Sequence, residues 1–129
     1  MTRVLIRAIL IMEGKKLSIY SLEYKDKSEI RDFFQNSESD GKILSGFHRI
    51  LEYIADEGIK LPSNFYKIIK RSSKKFYQIE KGNHRLTFTR FENRVLLLTH
   101  FTKTKQYQKE EYDRVVRLLN KIEGIKWQD

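Results

Sequence analysis

The residues best suited to bind an anion lie around one tight turn and at the end of a later apolar run. Arg85 follows the turn at Gly82-Asn83, and a two-residue type II′ hairpin there places Arg85 opposite Glu80. A second turn at Glu92-Asn93 brings His100 beside Arg85. The row Glu80–Arg85–His100 is either a cross-strand ion pair next to a histidine, worth at most about 1 kcal/mol, or an anion site centred on the guanidinium of Arg85.

Two basic segments flank this row in the chain. Lys103, Lys105 and Tyr107 lie between the apolar run and a predicted helix, where loops commonly carry functional side chains. An earlier segment, interleaved with aromatic and branched residues, is either the solvated edge of a half-buried element or a surface that tracks phosphates by releasing counterions. Its cations are Lys67, Lys70, Arg71, Lys74 and Lys75.

The sequence offers no device for metal or cofactor chemistry. It has no cysteine, no Gly-rich phosphate loop, no nucleophile elbow and no zinc-ligand spacing. His48 falls off the apolar stripe of its predicted helix and is expected at the surface. We therefore expect neither a cofactor nor a metal, and the lack of cysteine fits a reducing cytoplasm.

Composition predicts a folded domain with an acidic partner. The 129 residues are 40% hydrophobic and 33% charged, which favours one domain with a real core over a disordered chain. The net charge of +9 indicates RNA, DNA, an anionic membrane or an acidic protein as the partner. Val4–Met12 is far shorter than the about 20 apolar residues that span a bilayer, so no membrane role is expected.

Three antiparallel strands are predicted between Lys75 and Lys105. The two turns pair Tyr77 with Phe88, Ile79 with Leu86, Leu86 with Thr99 and Phe88 with Leu97. One face then carries the apolar side chains, including Phe101, and the other carries the polar row. Val95–Leu98 is apolar on both sides, which predicts a central strand covered on both faces.

The N-terminal part is predicted to form a strand or hairpin over about residues 3–24, with a turn at Glu13-Gly14. A short N-terminal helix is the rival interpretation. A short helix follows, capped by Asp26 or Ser28, and reaches about Gln35.

A longer helix is predicted from about Lys42 to Glu57, ended by Gly58, because its apolar residues recur at helical spacing. Residues 59–73 connect it to the sheet, and a closing helix runs from about Gln108 to Glu123. The predicted fold class is α+β, a small twisted antiparallel sheet packed against two N-terminal helices and a C-terminal helix.

The phrases KGNHRLTF and RVLLLTHFTKTKQ, in this order of elements, resemble the RelE/ParE toxin superfamily and its phage-derived, HigB-like branch. The resemblance covers roughly residues 27–123. It depends on an aromatic strand that begins with Phe76-Tyr77, on His84-Arg85-Leu86 after the turn, on the phrase His100–Thr104, and on Glu110-Glu111 at the start of the last helix.

The resemblance implies a single RelE/HigB-like domain over residues 1–129 that acts as the toxin of a type II toxin–antitoxin system. Its implied partners are a helix-turn-helix antitoxin, mRNA and the ribosome, and its implied activity is metal-free mRNA cleavage that inhibits translation. Two alternatives stay open: a non-enzymatic ParE-like toxin acting on gyrase, and a basic nucleic-acid-binding module.

The family's functional residues transfer to Arg85 after the turn and to Lys103 and Lys105 in the basic loop. Either Tyr107 or Tyr112 occupies the place of a late tyrosine. For proton transfer, His84 ranks above His100, and Arg90 joins the five cations of the earlier segment as an RNA-binding residue. RelE proper carries lysines on the first strand of this sheet, where the present chain has Gln78 and Glu80.

Overall fold

The computed structural model describes residues 6–35, 41–103, 108–122 and 124–128. They form a mixed α+β fold around a seven-stranded sheet of order β3-β4-β5-β6-β2-β1-β7. The described strands are β1 (Ile6–Glu13), β2 (Ser18–Tyr24), β3 (Tyr66–Arg71), β4 (Lys74–Lys81), β5 (His84–Phe91), β6 (Arg94–Thr102) and β7 (Lys126–Gln128). The described helices are α1 (Glu29–Gln35), α2 (Gly41–Glu57) and α3 (Gln108–Lys121).

The sheet is larger than the small one predicted. Residues 59–73, expected to be a connection, contain the edge strand β3, which pairs antiparallel with β4 from Tyr66↔Ile79 to Arg71↔Lys74. The short β7 pairs in parallel with β1 and was not predicted. Both strands lie at sheet edges, where one unpaired side and exposed side chains leave a weak apolar signal in the sequence.

The N-terminal hairpin is confirmed, and its rival, a helix, is wrong. β1 and β2 pair antiparallel from Ile6↔Tyr24 to Glu13↔Ser18. The turn between them is fixed against the end of α2, because the amides of Lys16 and Leu17 both donate to Ala55 O at 2.9 Å. Pairing with β2 on one side and β7 on the other outweighs the helix propensity of this segment.

The predicted helices are confirmed to within a few residues. Ser28 caps α1, since its Oγ accepts a hydrogen bond from Arg31 N at 3.2 Å. Gly58, at φ +85°, ends α2 and donates its amide to Ile54 O at 2.8 Å. No helix among the described residues is long and apolar enough to cross a membrane.

The hairpin register of β4 and β5 is confirmed, with Tyr77↔Phe88, Ile79↔Leu86 and Glu80↔Arg85 as partners. Gly82 has φ +57°, as the first central residue of a type II′ turn requires.

The register of β5 and β6 is correct only near the second turn, where Phe88 does pair with Leu97. Between Thr87 and Phe88 the register shifts, and Leu98 is the extra residue of a β-bulge. Beyond it, Leu86 pairs with His100 instead of Thr99, and Arg85 pairs with Phe101 instead of His100. His100 and Phe101 have therefore exchanged faces relative to the prediction.

Helices cover both faces of the sheet. α1 and α2 pack on the face that carries Ile79, Leu86, Phe88, Val95 and Leu97. α3 packs on the opposite face, against Tyr20, Leu22, Phe76, Leu96 and Leu98. Residues 95–98 of β6 are buried from both sides, which confirms the predicted central strand.

Candidate functional site

Arg85, the centre of the predicted anion site, is buried. Arg85 is only 6% exposed, and its Nη1 donates to two backbone carbonyls, Gly82 O and His84 O, each at 2.9 Å. The expectation that this guanidinium stands on an open face is wrong. On the same face, Tyr112 of α3 packs against Phe76 and against Phe101, the strand partner of Arg85.

Glu80 stands between the cations of this face. Its Oε1 lies 2.8 Å from Lys67 Nζ, 3.0 Å from Gln78 Nε2 and 3.8 Å from Arg85 Nε. The hydrogen bond from Lys67 holds the pKa of Glu80 below its usual range against partial burial, and Arg85 adds to that effect. A carboxylate therefore already occupies the position at which Lys67 and Arg85 could hold an anion.

Two buried polar atoms beside Glu80 have no hydrogen-bond partner within the described part of the chain. They are Arg85 Nε, a donor, and Gln78 Oε1, an acceptor. Buried groups of this kind are uncommon, and each is costly to leave unpaired. Arg85 Nε lacks an acceptor, and Gln78 Oε1 lacks a donor.

Lys103 is held close to Arg85 by the backbone. Its amide donates to Asn83 O at 2.7 Å, and Asn83 belongs to the same turn whose Gly82 carbonyl binds Arg85. The structure thus brings together two predicted site residues that are separated by a whole strand in the sequence. Lys105 and Tyr107, the other predicted residues of this basic loop, lie outside the described residues.

His84 and His100 lie on the other face of the sheet, away from Arg85. His84 Nδ1 is 2.9 Å from His100 Nε2, and the His100 ring stacks on Phe33 of α1 with centroids 3.8 Å apart. Burial and, after it, the nearby His84 lower the pKa of His100 to about 4, although Glu29 partly offsets both effects. The predicted row Glu80–Arg85–His100 is wrong at its third member, because the bulge at Leu98 turns His100 over.

The predicted RNA-binding cations divide between the two faces. Lys67, Arg71 and Lys74 lie on the α3 face, while strand alternation places Lys70, Lys75 and Arg90 on the other. Arg71 is bound by Asp113 at 2.6 Å, a contact that raises the pKa of Arg71 and lowers that of Asp113, and Arg90 Nε donates to Glu92 O at 2.7 Å. The six residues therefore do not form one continuous surface.

The hairpin tip of β3 and β4 nevertheless concentrates positive charge. Lys70 pairs with Lys75 and Arg71 with Lys74, so two successive cross-strand pairs are cation on cation. Like charges directly opposite each other destabilise a hairpin, and a polyanion would relieve that cost. Lysines on an edge strand also prevent pairing with other chains, so this tip alone does not identify a nucleic-acid site.

A basic cleft at the other end of the sheet was missed by the sequence reasoning. It is lined by cations from the β2–α1 connection and from α3, namely Lys25, Lys27, Arg114, Arg117 and Lys121. No sequence motif indicates this cleft, because the two segments are about 90 residues apart and the turn at Lys25-Asp26 contains no glycine. The only available signal was the helical spacing of Arg114, Arg117 and Lys121 on one side of α3.

The described residues contain no group of three or more His, Cys, Asp or Glu side chains that could hold a metal ion. Comparison with known proteins adds no family: no family model matches the chain, and no curated protein matches it significantly.

Proposed function

We propose that this chain is a HigB-like toxin of the RelE/ParE superfamily, which cuts mRNA on the translating ribosome in the cytoplasm and is inhibited by a helix-turn-helix antitoxin. The observation that carries the proposal is the hydrogen bond from Lys103 to Asn83. It brings Lys103 to the turn that holds Arg85, which supports the resemblance carried by both phrases.

The proposed reaction needs cations and proton transfer. The 2′-OH of one nucleotide attacks the adjacent phosphorus, the new P–O2′ bond forms, and the bond from phosphorus to the 5′-oxygen of the next nucleotide breaks. The proton of the 2′-OH passes to a base, and the departing 5′-oxygen takes a proton from an acid. Lys103 and Arg85 stabilise the negative charge that gathers on the phosphate oxygens.

The burial of Arg85 restricts how it acts. With its side chain 7% exposed and Nη1 held by two carbonyls, the guanidinium contributes through its field, or by direct contact after the covering side chains move. His84 is on the wrong face for proton transfer to a phosphate beside Arg85. Tyr112 lies on the correct face, and its hydroxyl accepts a hydrogen bond from Gln108 at 2.6 Å, so the geometry favours Tyr112 over His84.

The test is controlled expression followed by mapping of cellular RNA ends. Wild type is expected to arrest growth and to produce new ends within translated messages. Lys103→Ala changes an exposed side chain and is expected to reduce the cutting rate about tenfold. Arg85→Lys is expected to reduce it about a hundredfold, since losing one charge-stabilising donor costs on the order of 10²–10³ in rate. Lys126→Ala, on the distant β7, is the matched control. Full cutting by the Arg85→Lys, Lys103→Ala double variant, with an unchanged melting temperature, contradicts the assignment.

A non-enzymatic nucleic-acid-binding protein is the second candidate. The specific observation in its favour is that Arg85 is buried, with Nη1 bound to two carbonyls and the Glu80 carboxylate nearby, whereas open cations lie elsewhere. This candidate predicts salt-dependent RNA binding without new RNA ends and without growth arrest.

A further inference from the structure

The sheet splits at the end where β2 and β6 finish. These neighbouring strands pair in parallel only from Ser18↔Arg94 to Ser21↔Leu97, although both continue for several residues beyond. The pairing stops where the bulge at Leu98 begins. A cleft with a volume of about 470 Å³ opens at this split.

A carboxylate from α1 binds the backbone of β6 beyond the point where its pairing with β2 stops. Glu29 Oε1 accepts a hydrogen bond from the His100 amide at 3.4 Å, replacing the bond that a neighbouring strand would supply. The same carboxylate binds Arg114 of α3, with Arg114 Nη2 at 3.0 Å from Oε1. Glu29 and, after it, Glu111 raise the pKa of Arg114 against the effect of its partial burial. The pair Glu29–Arg114 connects helices from opposite faces of the sheet through the gap.

The cleft has an apolar wall and a cationic rim. Leu22, Leu98 and Leu118 form the wall, and the acidic lining residues are Glu29 and Asp32. Arg114 already neutralises Glu29. The remaining cations outnumber Asp32, and within the described part of the chain none of them has a carboxylate at salt-bridge distance: Lys25, Lys27, Arg117 and Lys121.

Two of these cations lie over the ring of Tyr24. The Nζ atoms of Lys25 and Lys121 each lie 5.4 Å from the ring centroid. Lys25 and Asp26 have φ values of 53° and 61°, a left-handed pair that residues with a side chain rarely adopt. The turn closes through Tyr24 N to Lys27 O at 2.8 Å and Lys27 N to Tyr24 O at 3.0 Å, and it holds the Lys25 ammonium over the ring.

We propose that this cleft binds one nucleotide unit of single-stranded RNA, with its phosphate on Lys25 and Lys121 and its base against Tyr24 and the leucine wall. The volume falls within the roughly 300–1,000 Å³ usual for small-molecule sites. An acidic peptide would satisfy the cations but leave the wall uncovered, whereas a nucleotide presents both a charge and an apolar ring face. Arg85 does not line the cleft, and binding there needs no cleavage, so the proposal goes beyond the proposed function.

The probe is a fluorescein-labelled 12-residue oligouridylate with 2′-O-methyl groups, which cannot be cut by 2′-OH attack. Anisotropy titrations at several salt concentrations measure its dissociation constant. The Lys25→Gln, Lys121→Gln double variant is expected to bind at least tenfold more weakly at low salt, with a salt slope shallower by about 0.7, because the one phosphate that both lysines hold is no longer neutralised. Lys126→Gln, a single exposed cation on β7, should weaken binding less than twofold.

Tyr24→Leu separates stacking from charge. It should weaken binding by about five- to a hundredfold while leaving the salt slope unchanged, since a stacking contact is lost and no cation is removed. Tyr24→Phe keeps the ring and should bind like wild type. Melting curves of all variants must match wild type. If the double variant melts at a lower temperature, the single variant Lys25→Gln replaces it in the titrations.

Three results would overturn the proposal. They are unchanged affinity in the double variant, equal binding by Tyr24→Leu and wild type, and displacement of the RNA by a polyglutamate peptide at matched charge concentration. Because the probe is uncleavable, failure of the nuclease assay with normal binding here rejects the proposed function alone. Normal cutting in cells with no Tyr24-dependent binding rejects this cleft alone.

Discussion

His84 Nδ1 lies 2.9 Å from His100 Nε2, on the face of the sheet opposite to the guanidinium of Arg85. The pair exists because β6 carries Leu98 as an extra residue, which turns His100 toward α1, where it stacks on Phe33. One of these two ring nitrogens donates and the other accepts, according to the tautomers of the two rings. The two histidines therefore belong to the packing of α1. Substituting them should change the stability of the fold without changing the proposed RNA chemistry.

The first prediction is a loss of stability in mild acid that depends on His100. The pKa of His100 is about 4 in the folded chain, below the ordinary value of 6.5. Between these values the unfolded chain binds more protons, so the free energy of unfolding falls as the pH is lowered. We expect a loss of about 1–2 kcal/mol from pH 7 to pH 4, less than the full shift implies because the ring is partly exposed.

Urea unfolding at several pH values measures this effect. His100→Asn should be less stable at pH 7 but should lose less stability in the same window, whereas His48→Asn, on the exposed side of α2, should follow wild type. Carboxylates with lowered pKa values, such as Glu80, also make the fold less stable in acid. Their contribution is the same in each variant, so the comparison between variants removes it. Parallel curves for His100→Asn and wild type would rule out His100 as the source.

A second prediction concerns the hydroxyl pair beside the bulge. Thr87 Oγ1 and Thr99 Oγ1 are 2.6 Å apart and fully buried, and Thr99 N also donates to Thr87 Oγ1 at 3.2 Å. Thr87→Val should destabilise the fold by about 1–3 kcal/mol, because it leaves a buried hydroxyl and an amide without an acceptor. Adding Thr99→Val should restore part of that loss. Chemical denaturation of both variants provides the measurement, and additive losses would contradict the pairing.

The strands around the Gly82-Asn83 turn were predictable, because turn chemistry and apolar alternation both specify one register. The same alternation is absent from Val95–Leu98, where every side chain is apolar. A one-residue bulge there leaves no mark in the sequence, so the face of His100 was assigned wrongly. The burial of Arg85 was also not predicted, because strand alternation alone does not show which side chains pack over the polar side of the sheet.

The basic cleft could not be predicted from the sequence, for a different reason. Its cations come from the Tyr24–Lys27 turn and from α3, which are about 90 residues apart in the chain. The turn uses left-handed backbone at Lys25 and Asp26 without a glycine, so the usual turn signal is missing. Helix boundaries were easier, since Ser28 and Gly58 are strong local signals.

A third prediction uses two glycines as a matched pair. A Cβ added to Gly14 would overlap the backbone and Cβ of Ala55, whereas a Cβ added to Gly41 meets nothing within 4 Å. Gly14→Ala should therefore cost about 1–3 kcal/mol by pushing the β1–β2 turn away from α2. Gly41→Ala, at the first residue of α2, should be neutral or stabilise by up to about 1 kcal/mol. Thermal unfolding of the two variants is the measurement, and equal melting temperatures would contradict the close packing of Gly14.

The fourth prediction concerns Glu80, which competes with any phosphate for the cations of the α3 face. Its carboxylate is 2.8 Å from Lys67 Nζ and 3.8 Å from Arg85 Nε, and its lowered pKa keeps it charged at neutral pH. Glu80→Gln keeps the shape and removes the charge. If RNA approaches Arg85, this variant should bind the uncleavable oligouridylate about two- to tenfold more tightly at low salt, with a salt slope steeper by about 0.7 for one added phosphate contact.

Glu52→Gln is the control for Glu80→Gln, because it also removes one negative charge but lies on the exposed side of α2, paired with His48 at 2.7 Å. A gain in affinity shared by both variants would reflect net charge alone. A gain confined to Glu80→Gln would place a phosphate beside Lys67 and Arg85, while no gain in either would exclude RNA from this face. Combining Glu80→Gln with Tyr24→Leu then tests independence, since two separate contacts should give additive changes in binding free energy.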